Sequence, residues 1–402
     1  AYNNGEALCV KPSDGSGDFD FSRNSAATRV NAQGLVENVQ ILSSNLVQNG
    51  DFSEEGVQEV SNGSFSQEGV ELITNGNFEN GSTGWGFIGA GWTFVGGKAT
   101  HTGVQSILGQ SNILTIGKSY KITFDLSGAD NSNYARLLSS QYPNGGNYTS
   151  DGTITVYTST NIDDFLVYAV GDISIDNVSV REVGQDWTLG TGWSIGEDKA
   201  IANTTGNFVN LYQNSVFVVG KTYKTTFTIS DYTQGSVRLT ENGYDISGFQ
   251  NAVGTYTTYF TASQTALYMQ GYESFIGSIT NISVKEVGQN WIVGSDWSIA
   301  ENKAVSSGSG NNLQQTINIL SNKTYKLTFD VISTSGTLAF DLGGATAKTL
   351  TDSGSKEYYF QSVNTNNLRF YGGNYYGSVT NISVIEITDD TNLPRINYEG
   401  FS

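Results

Sequence analysis

His101 is the sole histidine and Cys9 the sole cysteine among 402 residues. One histidine cannot build a multi-histidine metal site, and no Ser-His-Asp or Cys-His nucleophile system repeats along the chain. His101 lies in Ala99-Thr100-His101-Thr102-Gly103, an alternating run of ordinary strand character. No glycine-rich phosphate loop stands between a strand pattern and a helix pattern. Two carboxylates suffice for glycoside hydrolysis, but the acidic positions change from one part of the chain to the next, which argues for contact or spacing, and the sequence reads as non-enzymatic. The residues best suited to contact are tyrosines. Tyr142 and Tyr148, Tyr268 and Tyr272, and Tyr371, Tyr375 and Tyr376 form clusters whose flat rings could stack on sugars while a hydroxyl orients the ligand, which makes them glycan-binding candidates. The same rings also fill sandwich cores and edges, and that reading is preferred.

The elements that must carry such residues are strands. Gly (48), Tyr (22) and Phe (20) are abundant beside three Pro and 14% charged residues, a composition for pleated, half-buried surfaces joined by tight turns. The length suits two to four domains, each able to fold without covalent staples, and a single cysteine leaves no intrachain disulfide. The formal charge of −18 is spread in ones and twos. Such a surface repels phosphate backbones and anionic lipid heads, so neither nucleic acid nor membrane insertion is expected. No apolar stretch approaches the roughly 20 residues of a membrane span. Opening on Ala1 and closing at Ser402 after a strand-like run, the sequence reads as a processed or truncated part of something longer.

Internal repetition organises the chain. Gly117-Lys118-Ser119-Tyr120-Lys121-Ile122-Thr123-Phe124 returns at 220–227 and 322–329, with the tyrosines advancing by 103 and then 102 residues. Ser174-Ile175-Asp176-Asn177-Val178-Ser179-Val180 returns at 278–284 and 378–384. All six tryptophans fall in pairs, Trp85/Trp92, Trp187/Trp193 and Trp291/Trp297, each opening a repeat, and core or junction packing is the preferred role for them. Tyr120, Ile122, Phe124 and Leu126 alternate with Lys121, Thr123 and Asp125, the period of two that turns one face to a core. Turn residues such as Asn242-Gly243 and Gly343-Gly344 close hairpins. The expectation is an all-β chain of three tandem antiparallel β-sandwich (jelly-roll) domains at residues 71–183, 184–287 and 288–388, stacked with almost no linker as a semi-rigid rod. Asn-x-Ser/Thr sites at Asn177, Asn281 and Asn381 fall within the predicted strands.

Residues 1–70 differ. Asn49-Gly50-Asp51-Phe52, Asn62-Gly63-Ser64-Phe65 and Asn75-Gly76-Asn77-Phe78 form a smaller repeat at a spacing of 13. Three such units alone cannot bury a core. They are expected to lean on module 1 or on neighbouring chains in an attachment or oligomerisation segment; a duplicated first strand of the sandwich is the alternative. Residues 389–402 form an exit segment in which Pro394 leaves the sheet and Ile396 and Tyr398 begin another strand.

Gly17-Asp18-Phe19-Asp20-Phe21-Ser22-Arg23-Asn24-Ser25-Ala26-Ala27-Thr28-Arg29-Val30-Asn31, continuing to Gly34-Leu35-Val36-Glu37, resembles an N-terminal segment of tailed-bacteriophage tail-fibre and related virion-appendage proteins. Leu393-Pro394-Arg395-Ile396-Asn397-Tyr398 resembles a segment found downstream in the same family. Between them, Asn75-Gly76-Asn77-Phe78-Glu79, the Trp pair and Ile175-Asp176-Asn177-Val178-Ser179-Val180 resemble jelly-roll carbohydrate-binding modules. The resemblance implies a virion-surface fibre subunit, a homo-oligomer (a trimer) with other virion proteins as partners, whose modules act as a spacer and touch host surface glycans. It also implies a structural calcium held by Glu79 and Asp176 in module 1 only, since Thr280 and Thr380 stand where Asp176 does; no other cofactor is expected. A secreted bacterial adhesin or surface-filament subunit, and the carbohydrate-binding part of a larger glycan-active enzyme, are the alternatives.

Overall fold

The computed structural model describes residues 41–388 except 309, 366 and 373, together with the short strands Tyr2–Asn3, Glu6–Ala7, Thr28–Val30 and Val36–Asn38. Among the described residues the regular elements are strands, with no helix. The appendage-like segments 17–37 and 393–398 and the exit segment 389–402 lie outside the described residues, apart from the two strands Thr28–Val30 and Val36–Asn38, which pair antiparallel. The chain divides into two compact units, Glu55–Val287 and Ala1–Glu54 with Gly288–Ser402.

The alternating runs become central strands. In Ser119–Ser127, Tyr120, Ile122, Phe124 and Leu126 are buried and Lys121, Thr123 and Asp125 are not. The strand sits between Gly152–Ser159 and Ile173–Val183 in a six-stranded antiparallel sheet. A five-stranded sheet, ordered Asn147–Tyr148, Tyr134–Arg136, Phe165–Val170, Ser106–Gln110 and Phe87–Ile88, completes the module. Module 3 repeats this plan around Thr324–Ser335 and Tyr376–Thr388, with a facing sheet built on Leu313–Gln315, Leu368–Tyr371 and Leu338–Leu342. In module 2 the two central strands are continuous, Thr222–Glu241 and Leu267–Val287, and run through both layers. Register shifts between Ile229 and Asp231 and again up to Ser236 let them turn the corner, as bulges do where one strand serves two sheets. Asn242 and Gly243 both take positive φ in the hairpin to Tyr244–Asp245, the geometry that such a turn requires.

The small repeat corrects the expected boundary at residue 70. Its three copies supply the first strand of three different modules, in reverse order. Residues 41–52 join module 3: Ile41–Leu42 pairs with Ile387 and Thr388, and the Ile382 amide donates to Gly50 O at 3.0 Å. Residues 55–65 join module 2 through Glu55–Gln58 on Lys285 and Val287, and Ile282 N donates to Gly63 O at 2.9 Å. Residues 68–78 join module 1 through Glu68–Glu71 on Arg181 and Val183, and Val178 N donates to Gly76 O at 2.9 Å. The segment is therefore neither free-standing nor given wholly to module 1. Modules 2 and 3 begin at their tryptophans without a first strand, and each obtains one from upstream.

The three hooks are built alike. Asn49, Asn62 and Asn75 lie at φ 46–55° and Phe52, Phe65 and Phe78 at 52–59°, a region costly for a bulky residue unless the surroundings hold it there. What holds it is packing: the rings, at most 2% exposed, lie 5.2, 5.2 and 4.9 Å from Trp291, Trp187 and Trp85. Each indole Nε1 donates to the hook asparagine carbonyl at 3.1 Å. A buried glutamine then clamps the residue ahead of the asparagine from both sides. Gln315 does so at Gln48 (2.9 and 2.8 Å), Gln213 at Ser61 (3.2 and 2.6 Å) and Gln110 at Thr74 (3.1 and 2.7 Å). The hook glycines permit close approach: a Cβ on Gly50, Gly63 or Gly76 would stand about 2 Å from the carbonyl oxygen of Ile382, Ile282 or Val178.

Two outcomes follow for module 2. Gly63→Ala must move the hook off Ile282 and should cost at least ~2 kcal/mol, and Phe65→Ala about 3–5 kcal/mol; hydrogen exchange should show the Ile282 amide opening while the Ile382 amide keeps its protection. Ion pairs to Lys224 (2.5 Å) and Lys285 (2.9 Å) hold the Glu55 carboxyl below its ordinary value of 4.5. A depressed carboxylate contributes stability that is present above the unfolded value and lost as pH falls through the folded one. Thermal midpoints of module 2 should therefore drop below about pH 4.5, with a shallower slope in Glu55→Gln.

Candidate functional site

The five-stranded layers, and their counterpart in module 2, present outer faces whose central rows differ. Inner residues are apolar throughout: Leu108, Val167 and Ala135; Leu211, Met269 and Leu239; Leu313, Phe370 and Phe340. One residue along each strand, the outward row reads Ile107, Tyr168, Arg136 in module 1, Asn210, Gln270, Arg238 in module 2, and Gln314, Arg369, Asp341 in module 3. Every row carries an arginine beside an aromatic ring. Arg136 lies 5.7 Å from the centroid of Tyr168, Arg369 5.6 Å from Tyr371, and Arg238 4.6 Å from Phe249 and 5.7 Å from Phe208.

Module 2 has the most developed face. The Arg238 guanidinium donates twice to Gln270 Oε1 (2.9 and 2.7 Å) and once to Asp245 Oδ2 (3.2 Å), and Gln270 Nε2 donates to Asn210 Oδ1 at 3.1 Å. Phe208 and Phe249 flank it at 52% and 44% exposure, and both lean on Tyr272, at 5.3 and 4.8 Å between centroids. The next row adds Tyr212 and Tyr268, 4.9 Å apart. Fixed planar donors and acceptors beside two exposed rings can bind a ligand having an apolar face and a polar rim. In module 3 the bidentate Arg369 to Asp341 pair (3.0 and 2.8 Å) raises the arginine, and burial, followed by Asp341, raises the Tyr371 hydroxyl.

The tyrosine candidates separate accordingly. Tyr268 and Tyr272 share the outer face of module 2. Tyr142 and Tyr375 are 0% exposed and present no ring to solvent. Tyr142 donates to Asp164 O at 3.0 Å and accepts from Leu166 N at 2.8 Å, and Tyr375 donates to Ile332 O at 3.1 Å; burial raises both hydroxyls above their ordinary value. Tyr148 is half-buried with its ring 5.7 Å from that of Phe124. Tyr371 and Tyr376 lie on different sheets of module 3, so that cluster is not assembled. The indoles are buried, and His101 is a core residue bonded to Gly171 O at 2.7 Å against Trp92.

Sequence reasoning missed Arg238, Phe208 and Phe249, which fall at no shared spacing with the tyrosines. It also missed the clamping glutamines, although Gln110, Gln213 and Gln315 advance by the 103 and 102 residues of Tyr120, Tyr223 and Tyr325. A cleft of about 470 Å³ between modules 1 and 2 is lined by small polar residues such as Asn144, Asn161 and Thr191 together with Pro143, Leu189, Trp193 and Ile195, with no charged side chain.

The threonines that stand in place of Asp176 show what that position faces. Thr280 Oγ1 donates to Asp198 O (3.1 Å) and Ser64 O (3.4 Å), and Thr380 Oγ1 to Asn302 O (2.9 Å) and Asp51 O (3.4 Å). In module 1 the same register position, opposite Asp125, is Asp176, an acceptor only. A Cβ on Gly97 there would lie 3.6 Å from Asn77 O and 3.8 Å from Glu79 Oε1, so the hook carbonyl and the Glu79 carboxylate belong to the same corner. Carboxylates and carbonyls in place of a hydroxyl donor fit a hard, oxygen-seeking cation. Among the described residues no group of three or more His, Cys, Asp or Glu side chains gathers as a metal site, so backbone oxygens would have to complete the shell.

The chain is thus a tandem β-sandwich protein. No family model matches it and no curated protein matches it. Among solved structures it is similar to the N-terminal CBM22-1-CBM22-2 tandem domain from Paenibacillus barcinonensis Xyn10C, at 12% identity and TM-score 0.24 over 50% of this chain and 94% of that one. It is also similar to a Paenibacillus xanthan lyase, at 10% identity and TM-score 0.20 over 74% of this chain and 36% of the other. At TM-scores that low, neither protein's ligand or activity passes to this one.

Expected outcome for the face itself: Gln270→Leu removes the acceptor that holds Arg238 and should cost ~1–3 kcal/mol of module 2 stability, read as an earlier thermal midpoint than that of Asn210→Ala.

Proposed function

We propose that the chain is a non-catalytic binding protein that takes glycan on the outer face of module 2. The observation that carries this is the pair of exposed rings, Phe208 and Phe249, bracketing an arginine already oriented by Gln270 and Asp245. Sugar C–H faces stack on the rings while Asn210, Asp245 and Arg238 meet hydroxyl or carboxylate groups at the rim. The differing rows of modules 1 and 3 act as a spacer or bind other sugars. The setting we propose is a virion appendage, supported by the resemblance of residues 17–37 and 393–398; oligomerisation as a trimer belongs to the same reading, and sedimentation of the full chain tests it.

Glycan-array binding by the full chain tests the site. Phe249→Ala should weaken the best ligand at least ~10-fold, the usual size of a lost central aromatic, at an unchanged thermal midpoint; silence across a broad panel leaves a spacer and sinks the binding role. For the proposed calcium, Glu79 and Asp176 would hold the ion together with backbone carbonyls, and it would staple the hook to its module. Calcium at a hundred times its dissociation constant should add ~2.7 kcal/mol to module 1. Asp176→Thr, which imitates modules 2 and 3, should remove the calcium response without loss of fold; an equal response in that variant would show that the ion binds elsewhere.

A further inference from the structure

We propose that the outer face of module 1 binds a saccharide carrying a carboxylate, a uronic acid unit of a glycan, with Arg136 as the group that takes the carboxylate. The three outer rows differ in what their arginine meets. Arg136 occupies the row position of Arg238 in module 2, and Tyr168 that of Gln270. In module 2, Arg238 Nε donates to Gln270 Oε1 at 2.9 Å and Nη1 to Asp245 Oδ2 at 3.2 Å. In module 3, Arg369 Nε and Nη2 both donate to the Asp341 carboxylate, at 3.0 and 2.8 Å.

Module 1 lacks both acceptors. The ring of Tyr168 takes the place of the glutamine, 5.7 Å from the guanidinium carbon, and Arg136 Nε is covered with no partner. Nη2 alone is engaged, donating to Gln105 Oε1 at 2.7 Å. Nη1 has no acceptor among the described residues and, unlike Nε, is not covered. Among the described arginine side chains, Arg136 is the one without a carboxylate partner: Arg181 reaches Glu68 and Glu71, Arg238 reaches Asp245 and Arg369 reaches Asp341. A chain of formal charge −18 thus leaves one half-buried cation unneutralised on a sheet face. Its charge-assisted bonds are open to an anion from outside.

The surroundings say what carries that anion. Nη1 and the second N–H of Nη2 form the end-on fork that fits the two oxygens of a carboxylate. Around it the face presents the half-buried rings of Tyr134 and Tyr168 and the exposed amides of Gln105 and Asn147, with no acidic residue among them. Rings take the C–H face of a sugar and amides its hydroxyls. The choice of a saccharide rests on the glycan-binding role proposed for the chain, whereas the preference for an acid comes from Arg136 by itself.

Titration calorimetry on the full chain tests this with one pair of probes, a tetrasaccharide of uronic acids and its methyl ester, which keeps the rings and removes the charge. The acid should bind at least ~10-fold tighter than the ester, the usual size of a hydrogen bond to a charged group, and should weaken as salt rises. Arg136→Gln should bring the two affinities together. Gln105→Glu, which gives Arg136 the carboxylate its counterparts have, should do the same at an unchanged or higher thermal midpoint, and decides the outcome should Arg136→Gln fail to fold. Phe249→Ala should leave the preference intact; its loss there would move the acid to module 2 and overturn the proposal. Equal affinity for acid and ester, no binding of the acid, or a preference that survives in Gln105→Glu overturns it as well. So does acetate that competes as well as the tetrasaccharide, since the face would then read a bare anion. A neutral glycan lost in Phe249→Ala, on a chain with no acid preference, sinks this site and keeps that of module 2; an acid preference on a chain where Phe249→Ala weakens no glycan does the reverse.

Discussion

Everything in this molecule hangs on how closely a short strand can approach the backbone of the last long strand in each module. The Asn-Gly-x-Phe hook lays a glycine against a carbonyl oxygen at a distance no Cβ tolerates, then turns its phenylalanine back into the core at positive φ. Phe65 and Phe78 are members of the buried clusters of modules 2 and 1. A tryptophan that both packs on the ring and donates to the asparagine carbonyl keeps the strained conformation occupied. The hook also covers a stretch of strand edge that would otherwise be open to pairing with other chains.

Because the three hooks follow one another within residues 41–78 while their modules follow one another over more than 300 residues, the chain is ordered twice in opposite directions. The hook of module 3 is synthesised first and its receptor last. Module 1 seats its hook across 102 residues, Gly76 to Val178, whereas the equivalent contacts of modules 2 and 3, Gly63 to Ile282 and Gly50 to Ile382, span 219 and 332, and the longer pairings are slower because more closure entropy is lost before contacts repay it. The N-terminal segment thus resembles a ribbon of first strands, each written ahead of the body it belongs to.

The common frame leaves the outer rows of the second sheets unconstrained. Inward positions must be apolar in every module, but the outward neighbours became Arg136 on Tyr168, the Arg238, Gln270 and Asn210 ladder with its two exposed phenylalanines, and the Arg369 to Asp341 pair. Side chains can diversify there without touching the hook or the core.

The strands, their burial phase and the threefold plan were determined by the sequence alone, since a period of two and a period near a hundred residues are properties of the one-dimensional string, and burial of the apolar phase follows whatever the tertiary arrangement. The Asn-Gly-x-Phe repeat was equally visible, and so was the missing opening motif of modules 2 and 3. Which hook serves which module was decided only in three dimensions, where Leu42, Glu55 and Glu68 meet Ile387, Val287 and Val183, because strand pairing is blind to sequence separation. The same holds for the candidate site: Phe208, Arg238, Phe249 and Tyr272 come from four stretches of chain, and only the registers that put Arg238 and Asn210 on either side of Gln270 bring them together.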